Sequence, residues 1–380
     1  MSEYEPSEDI VSELDKIVDL SGVTDVLKNY EEKNVEENIE ANPDKLMSSM
    51  GKASGTIRVS KLLNVDPTAL PARDFTMPFF EASDIPEELK PYLVSSSREN
   101  LRNYEPDINA AYNVCLGLRE NMNHLITGVK GCGKTSLVYW IACELGWPVL
   151  NVVGHSQLTP EELYGQVRLV EGKTVFDRGT LTKAVEYGAI LLFDEVFQTP
   201  SDILISANSV LETGGELTVQ SMYDNKVVKR HENCRFIFTS NSRGAGDTTG
   251  KYIGEQVTNS ALLDRIQLCT SVHYMPVSEQ RKVLKNTLTD EDGVCHATES
   301  EMENMIYIMA GVNEAFQGGR LADSMSMRGL LSFAKLACMI GNKGLAFYTV
   351  VVNKVDSAEE RDVLLSIART RGGDDYVHMV

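Results

Sequence analysis

Short apolar runs alternate with amphipathic stretches through the middle of this 380-residue chain. The apolar runs cover residues 124–127, 147–153, 190–193 and 235–239, and the amphipathic stretches cover residues 106–119, 136–145, 160–164 and 203–212. Short apolar strands that alternate with helices are typical of a parallel sheet covered by helices. The pattern therefore predicts the α/β fold class for this part of the chain.

The two flanking regions follow other patterns. Residues 56–105 hold five of the twelve prolines, which predicts a small, irregular N-terminal module. The α/β domain is expected to take residues 106–275. From Pro276 the pattern is mostly helical, with an apolar, β-branched interruption at Phe347–Val352. We expect a smaller, mostly helical C-terminal lid domain at residues 276–380.

Two segments of the α/β region have the alternation of β-hairpins. Gln166–Asp177 alternates apolar and polar residues around Glu171-Gly172, and Glu216–Arg235 does so around Asp224-Asn225. Both are predicted to be β-hairpin insertions in the basic fold. From the sequence alone, hairpins that face a substrate and plain edge hairpins are equally open interpretations.

Acidic residues are concentrated at the start of the chain. The formal net charge is −19, and residues 1–50 hold 14 Asp and Glu against 4 Lys and Arg. This composition predicts an acidic, mobile N-terminal arm at residues 1–55. Its apolar residues approximate a helical stripe: Ile10, Leu14, Ile17, Val18 and Leu20. A solvated tail and a short amphipathic helix that docks on a partner both stay open.

The remaining composition excludes several classes of protein. The acidic balance argues against an indiscriminate nucleic-acid binder, because phosphate binding draws on clustered Lys and Arg. Seven dispersed cysteines without a CxxC spacing indicate reduced thiols, and we expect no metal site built on them. The acidic N-terminus and the lack of a long apolar run predict a cytoplasmic protein that does not enter a membrane.

Residues 128–135 read GVKGCGKT, which fits the phosphate-loop pattern GxxxxGK[ST] between a predicted strand and a predicted helix. The glycines let backbone N–H groups point at the phosphates of ATP, and Lys134 neutralises phosphate charge. The Thr135 hydroxyl is expected to bind Mg²⁺. The predicted nucleotide-binding residues are Gly128, Lys130, Gly131, Cys132, Gly133, Lys134, Thr135 and Ser136. Cys132 is interpreted as a small filler rather than a redox switch.

A second apolar strand, Ile190–Asp194, is followed by another carboxylate, Glu195. This is the form of a Walker B element. Asp194 is predicted to hold Mg²⁺ and Glu195 to polarise the attacking water. The alternative is a strand that ends in a solvated acidic turn.

Three further polar residues complete a candidate hydrolysis site. Asn241 follows a buried strand whose carboxyl end is expected beside the phosphate loop, where it can orient water as a sensor 1 residue, unless it only starts a turn. Arg265 ends a short predicted helix and is predicted to act as an arginine finger on the γ-phosphate of a neighbouring subunit. That role requires a closed ring. Arg328 opens a lid helix and is the candidate sensor 2.

With these residues in place, the chain resembles the MoxR branch of AAA+ ATPases and, within it, the ATPase subunits of aerobic cobaltochelatases. The most specific stretch is residues 239–256, TSNSRGAGDTTGKYIGEQ, followed by Asn259 and by Leu263-Asp264-Arg265. Further similarity lies at residues 58–66, 178–181, 211–218, 327–328 and 346–355. The resemblance implies an AAA+ P-loop domain with a helical lid.

The resemblance also implies a homo-hexameric ring that hydrolyses ATP with Mg²⁺ and remodels a partner protein containing a von Willebrand A-type domain. In the cobaltochelatases this drives Co²⁺ insertion into a corrin ring precursor held by a large separate subunit. Ile266 and Ser242-Arg243 depart from the pattern of the family, which puts the chelatase partner in question.

Two other functions stay open. One is a helicase-like AAA+ nucleic-acid motor, for which Lys226, Lys229, Arg230 and His231 on the second hairpin would supply positive charge. The other is a nucleotide-locked structural ring that hydrolyses ATP slowly or not at all. The presence of Glu195 and Arg265 argues against the structural ring.

Overall fold

The computed structural model describes residues 49–97, 101, 104–170, 172–212, 214–219, 226–241, 260–290 and 292–378. Most of the predicted acidic arm therefore lies outside the described residues. The turn at Asp224-Asn225 and residues 242–259, which carry much of the family resemblance, also lie outside them. The described residues all belong to one compact unit, residues 48–380.

Eleven strands and thirteen α-helices are present in the described part of the chain. The strands are β1 Gly55–Arg58, β2 Thr76–Phe79, β3 His124–Gly128, β4 Val149–Val153, β5 Gly165–Val170, β6 Lys173–Arg178, β7 Ile190–Asp194, β8 Glu216–Val219, β9 Lys226–Lys229, β10 Arg235–Ser240 and β11 Leu268–Val272. The helices are α1 Val59–Leu62, α2 Ile108–Arg119, α3 Lys134–Leu145, α4 Pro160–Tyr164, α5 Thr180–Tyr187, α6 Ser201–Ser206, α7 Asn208–Leu211, α8 Ser260–Asp264, α9 Val277–Leu288, α10 Glu299–Gln317, α11 Met327–Ile340, α12 Lys343–Val350 and α13 Ala358–Gly372.

The central sheet has five parallel strands in the order β11-β3-β10-β7-β4. The middle strand, β10, is buried along its whole length, and the first four residues of β7 are buried as well. Continuous apolar strands of this kind need helices on both faces to exclude water. The predicted α/β class with a parallel sheet is confirmed. The sequence pattern did not reveal β11, which is the edge strand beside β3.

Two antiparallel hairpins extend from this core. β5 pairs with β6 from Gly165 and Arg178 to Val170 and Lys173, as the alternating pattern predicts. β8 pairs with β9, and Glu216 lies opposite Lys229 at the open end of this hairpin. A third two-stranded sheet, β1 with β2, belongs to the proline-rich N-terminal segment. The chain just before that segment is anchored at Met50, which is buried and donates its N–H to Tyr187 O at 2.9 Å.

The C-terminal region is helical and has its own apolar core, built from α9 to α13. Phe333 and Phe347 are fully buried there and meet edge to face, with ring centroids 5.5 Å apart. The interruption predicted at Phe347–Val352 is wrong, because most of it is the end of α12, which begins after the Asn342 N-cap. Packing of Phe347 in the core overrides the low helix propensity of the β-branched residues that follow it.

The boundaries of the four predicted domains stay predictions. Within the described residues, no helix combines the length and the apolar character that a membrane span requires.

Candidate nucleotide-binding site

The predicted site residues from three separate sequence segments meet at one edge of the central sheet. β3 ends at Gly128, β7 at Asp194 and β10 at Ser240, and these strands are neighbours in the sheet. Because the strands are parallel, their carboxyl ends lie at the same edge, where open α/β sheets bind ligands. The phosphate loop, the Asp194-Glu195 pair and Asn241 therefore converge.

The phosphate loop has the backbone that its sequence predicts. Gly131 and Gly133 have φ angles of 75° and 92°, in the left-handed region that L side chains rarely adopt. Gly133 leads directly into α3 and, as a glycine N-cap, has no side chain to cap that helix. The N–H groups at a helix N-terminus favour a bound anion.

Lys134 and Glu195 are joined through Asn241. The Lys134 ammonium donates to Asn241 Oδ1 at 2.8 Å and to Gly128 O at 2.9 Å. On its other side, Asn241 Nδ2 donates to both carboxylate oxygens of Glu195, at 2.8 and 2.9 Å. The amide thus sits between a cation and a carboxylate, and its role as sensor 1 stays a prediction.

A pair of oxygen ligands suited to Mg²⁺ lies beside this group. The Thr135 hydroxyl is 3.1 and 3.0 Å from the two carboxylate oxygens of Asp194. Mg²⁺ prefers oxygen ligands and keeps several waters, so a hydroxyl and one carboxylate next to the phosphate loop fit this ion. Thr135 and Asp194 are the residues that would hold it.

The lid region touches the phosphate loop at the start of α11. A Cβ added at Gly131 would lie 2.2 Å from Ser326 Cβ, so Ser326, the N-cap of α11, sits directly against the loop. Lys130 and Asp323 form an exposed ion pair at 3.0 Å across the same junction. Arg328 lies in the first turn of α11 and is exposed. The predicted sensor 2 residue is therefore two residues from a direct contact with the loop.

Tyr104 is a neighbour of the loop that the sequence pattern gave no reason to single out. Its hydroxyl donates to Gly133 O at 3.4 Å, and its ring lies 3.4 Å from the position of a Cβ at Gly133. Burial raises the pKa of this phenol above its usual value. The sequence pattern offered no reason to single out Ser326 either. Both contacts join distant parts of the chain, so neither has a local signal.

Cys132 packs inside the loop, where its Sγ is 2.8 Å from the position of a Cβ at Gly128. Burial raises the pKa of the Cys132 thiol, which outweighs the opposite effect of Lys134. A thiol that stays protonated is a poor nucleophile. The geometry supports the interpretation of Cys132 as a small filler.

Arg265 lies at the opposite edge of the sheet from the phosphate loop. Its carbonyl oxygen accepts from Asn123 Nδ2 at 2.9 Å, and Asn123 directly precedes β3. The guanidinium donates to Glu212 Oε1 at 2.7 Å and to Asn208 O at 3.2 Å. The five residues of β3 separate Asn123 from the start of the loop by about 16 Å. Of the predicted site residues in the α/β domain, Arg265 is the one that this chain does not bring to the others.

Comparison with known proteins identifies the domain built around this edge. Residues 123–266 match the AAA domain of the dynein-related subfamily. The chain carries an AAA+ ATPase domain. It thereby belongs among the ATP hydrolases, and the predicted P-loop fold with a helical C-terminal region is confirmed.

Several curated proteins are similar to this AAA+ ATPase. Aerobic cobaltochelatase subunit CobS from Sinorhizobium sp is 28% identical over 271 residues, which are 67% of this chain and 80% of that protein. Protein NorQ from Paracoccus denitrificans is 41% identical over 81 residues, 21% of this chain and 30% of that protein. Protein CbbQ from Hydrogenophilus thermoluteolus is 27% identical over 31% of this chain and 43% of that protein. The predicted resemblance to MoxR-type ATPases is confirmed.

Among solved structures, a RuvB mutant from Thermotoga maritima is similar over 70% of each chain, with 16% identity and a TM-score of 0.39.

Proposed function

We propose that this AAA+ ATPase assembles as a hexameric ring, hydrolyses ATP with Mg²⁺ at sites shared between neighbouring subunits, and uses the energy to remodel a partner protein. The observation that carries the proposal is the position of Arg265. Glu195 and Asn241 stand at the carboxyl edge of the sheet, whereas Arg265 stands at the amino edge.

An arginine finger at that edge can act only on another subunit. Asn208 and Glu212 hold the guanidinium away from the chain's own phosphate loop. A contact that joins the amino edge of one subunit to the carboxyl edge of the next is head to tail, and such contacts close into a ring when the rotation permits. The guanidinium would then stabilise charge that develops on the γ-phosphate in the transition state.

The residues within one chain would divide the remaining work. The phosphate-loop N–H groups and Lys134 bind and orient the triphosphate. When bound, Mg²⁺ would supply Lewis acidity at the phosphate oxygens, held by Thr135 and Asp194. Glu195 takes a proton from the attacking water, and Asn241 fixes the direction of that carboxylate. Because a complete set of such groups is present, we favour active hydrolysis over a nucleotide-locked structural ring.

A protein partner fits the second hairpin better than a nucleic acid does. Arg230 turns into the body, where it donates to Asn121 Oδ1 at 2.6 Å and lies 4.5 Å from the ring centroid of Phe236. His231 packs against Gly188, and burial lowers its pKa. Two of the four basic side chains that would favour a nucleic-acid motor are therefore engaged internally.

The partner we propose contains a von Willebrand A-type domain, as the resemblance to MoxR-type ATPases implies. We take the cobaltochelatase subunit named above as a functional analogue, because its similarity extends over 80% of its own length. Affinity purification of the tagged full chain from its source, followed by mass spectrometry, should recover such a protein. Recovery of a large chelatase subunit would assign the pathway, and recovery of DNA or RNA instead would reject a protein substrate.

Mixed rings test the shared site directly. Arg265→Ala subunits keep an intact phosphate loop, and Lys134→Ala subunits keep an intact finger. Each variant alone is expected to lose at least about 100-fold in ATP turnover, as removal of an arginine finger does elsewhere. Mixtures should regain a measurable fraction of wild-type turnover, because a Lys134→Ala subunit can present its finger to the intact loop of a neighbouring Arg265→Ala subunit.

Arg369→Ala is the matched control, because Arg369 also forms an exposed ion pair, with Asp374 at 3.2 Å. Its turnover should stay within about twofold of wild type, since exposed pairs contribute little. Mixed rings that form and remain inactive would rule out a finger that acts between subunits.

A further inference from the structure

Thr239 occupies a position in the site that the hydrolysis scheme does not yet use. It lies on β10, the central strand, and is fully buried. β10 pairs with β7 as far as Phe238 and Phe193. The next residue of β10, Thr239, therefore lies beside the end of β7, where the two carboxylate residues are found. Thr239 thus places a hydroxyl at a buried strand position where an apolar side chain is usual.

The Thr239 hydroxyl is hydrogen-bonded to both Walker B residues. It donates to the carboxylate of Asp194. It also accepts the backbone N–H of Glu195 at 3.1 Å. A threonine hydroxyl has one proton to donate, and the Glu195 N–H uses one of its lone pairs. One buried hydroxyl thus fixes the side chain of one carboxylate residue and the main chain of the other.

The opposite side of the same turn is fixed by the neighbouring strand. Gly154, which follows β4, donates its N–H to Asp194 O at 2.7 Å. A Cβ at Gly154 would be 2.3 Å from Glu195 O, so the close approach requires glycine. The turn is therefore held between Gly154 and Thr239, and the Glu195 backbone keeps a φ of 53°. That conformation is costly for a non-glycine residue and persists only where its surroundings determine it.

We propose that Thr239 is a positioning residue for ATP hydrolysis, which acts through Asp194 and Glu195 without touching the nucleotide. The proposal rests on the roles given above to these two carboxylates. Loss of the hydroxyl would free the Asp194 carboxylate to rotate away from Thr135 and would leave the Glu195 N–H without its acceptor. Both changes affect the chemical step and the hold on Mg²⁺, whereas the phosphate loop that binds ATP is untouched.

Substitution of Thr239 separates this role from simple packing. Thr239→Val has nearly the same shape and lacks the hydroxyl, and Thr239→Ser keeps the hydroxyl. In the full-length chain, Thr239→Val should lower kcat about 10- to 100-fold, the usual effect of losing a group that orients a metal ligand. The Mg²⁺ concentration for half-maximal turnover should rise, and the Kd for ATP should stay within about threefold. Thr239→Ser should retain kcat within about threefold.

Thr182→Val is the matched control, because Thr182 is also fully buried and donates its hydroxyl, to Tyr164 O at 2.7 Å, away from the site. It should match Thr239→Val in thermal stability and wild type in kcat. If Thr239→Val does not fold, Thr239→Ser and Thr239→Cys carry the test, since a thiol is a weak hydrogen-bonding group. The serine variant must then be active and the cysteine variant impaired.

Wild-type kcat and Mg²⁺ dependence in Thr239→Val would overturn the proposal, as would equal rates for the serine and cysteine variants. Glu195→Gln is measured in parallel as the reference for the site itself. If Glu195→Gln keeps wild-type turnover, the proposed hydrolysis scheme fails. If Glu195→Gln is inactive and Thr239→Val is not, only the positioning role fails.

Discussion

Glu195 shows how one backbone angle arranges the site. Successive side chains of a strand point to opposite faces of the sheet. If Glu195 were extended, its side chain would therefore lie on the opposite face from that of Asp194. Its left-handed conformation, with a φ of 53°, breaks this alternation. As a result, the carboxylate of Glu195 reaches Asn241 while that of Asp194 reaches Thr135. A cost of about 1 kcal/mol for the left-handed residue is offset by these contacts.

His124, the first residue of β3, makes the stability of the chain depend on pH. It is 1% exposed, and its Nε2 shares a hydrogen bond of 2.8 Å with Thr270 Oγ1. Burial lowers its pKa from 6.5 to about 4. As the pH drops from about 6.5 toward 4, His124 binds a proton in the unfolded chain but not in the folded chain. The free energy of unfolding therefore falls over this range. The full loss is about 3 kcal/mol.

Urea unfolding of wild type and of His124→Gln between pH 7 and pH 4.5 measures this effect. The glutamine can keep a hydrogen bond to Thr270 and does not titrate. The wild-type midpoint should therefore decline more steeply with falling pH than that of the variant. Parallel curves for the two proteins would show that His124 is not the group responsible.

At the scale of elements, the contact between α11 and the phosphate loop joins the lid to the nucleotide. Gly131 permits this contact, because any Cβ there would strike Ser326. We expect Gly131→Ala to push the start of α11 away and to weaken ATP binding about tenfold or more, since overpacking costs about 1–3 kcal/mol. The Kd for a fluorescent ATP analogue measures the change.

Gly341, at the other end of α11, is the matched control. Gly341 has a φ of 67°, so an alanine there would meet the same backbone strain as an alanine at Gly131. No atom of the described residues lies within 4 Å of a Cβ added at Gly341, however. Gly341→Ala should therefore lose thermal stability and keep wild-type ATP affinity. Equal effects of the two alanines on affinity would mean that backbone strain alone, and not the contact with Ser326, disturbs the loop.

The elements of the site were predictable where a local pattern carries the chemistry. The phosphate loop and β7 each combine an apolar strand with a fixed run of polar residues, so their type and order follow from the sequence. β11 was missed because the polar Thr270 takes a buried position on it, whereas Cys269 is exposed. The contacts of Ser326 and Tyr104 with the loop were missed because they join segments far apart in the chain, for which no spacing rule exists.

The same limit applies to Arg265. The sequence predicted the finger at the end of a short helix, and α8 ends one residue before it, at Asp264. Its distance from the phosphate loop depends on the parallel pairing of β11 with β3, and β11 was not foreseen. The argument for a shared site thus became physical only when the sheet order was known.

At the scale of the whole molecule, every described residue of the site and its contacts lies in the unit of residues 48–380. Removal of residues 1–47 should therefore leave ATP turnover and thermal stability close to wild type, although it deletes most of the predicted acidic arm. The full chain and the truncated chain are compared by turnover at saturating ATP and by thermal melting. A loss of turnover beyond about threefold would show that the acidic segment takes part in hydrolysis.

A cut seven residues later provides the contrast. Removal of residues 1–54 also deletes Met50, which is 3% exposed, and Gly51, whose carbonyl accepts from Asn233 Nδ2 at 2.9 Å. Burial of one Met side chain alone contributes about 1.5–3 kcal/mol. The shorter chain should therefore melt about 5 °C lower than the chain cut at residue 47. Because Asn233 lies in the loop that leads into β10, which carries Thr239, this second cut should also lower kcat. Equal melting temperatures of the two truncated chains would mean that the segment around Met50 does not stabilise the sheet.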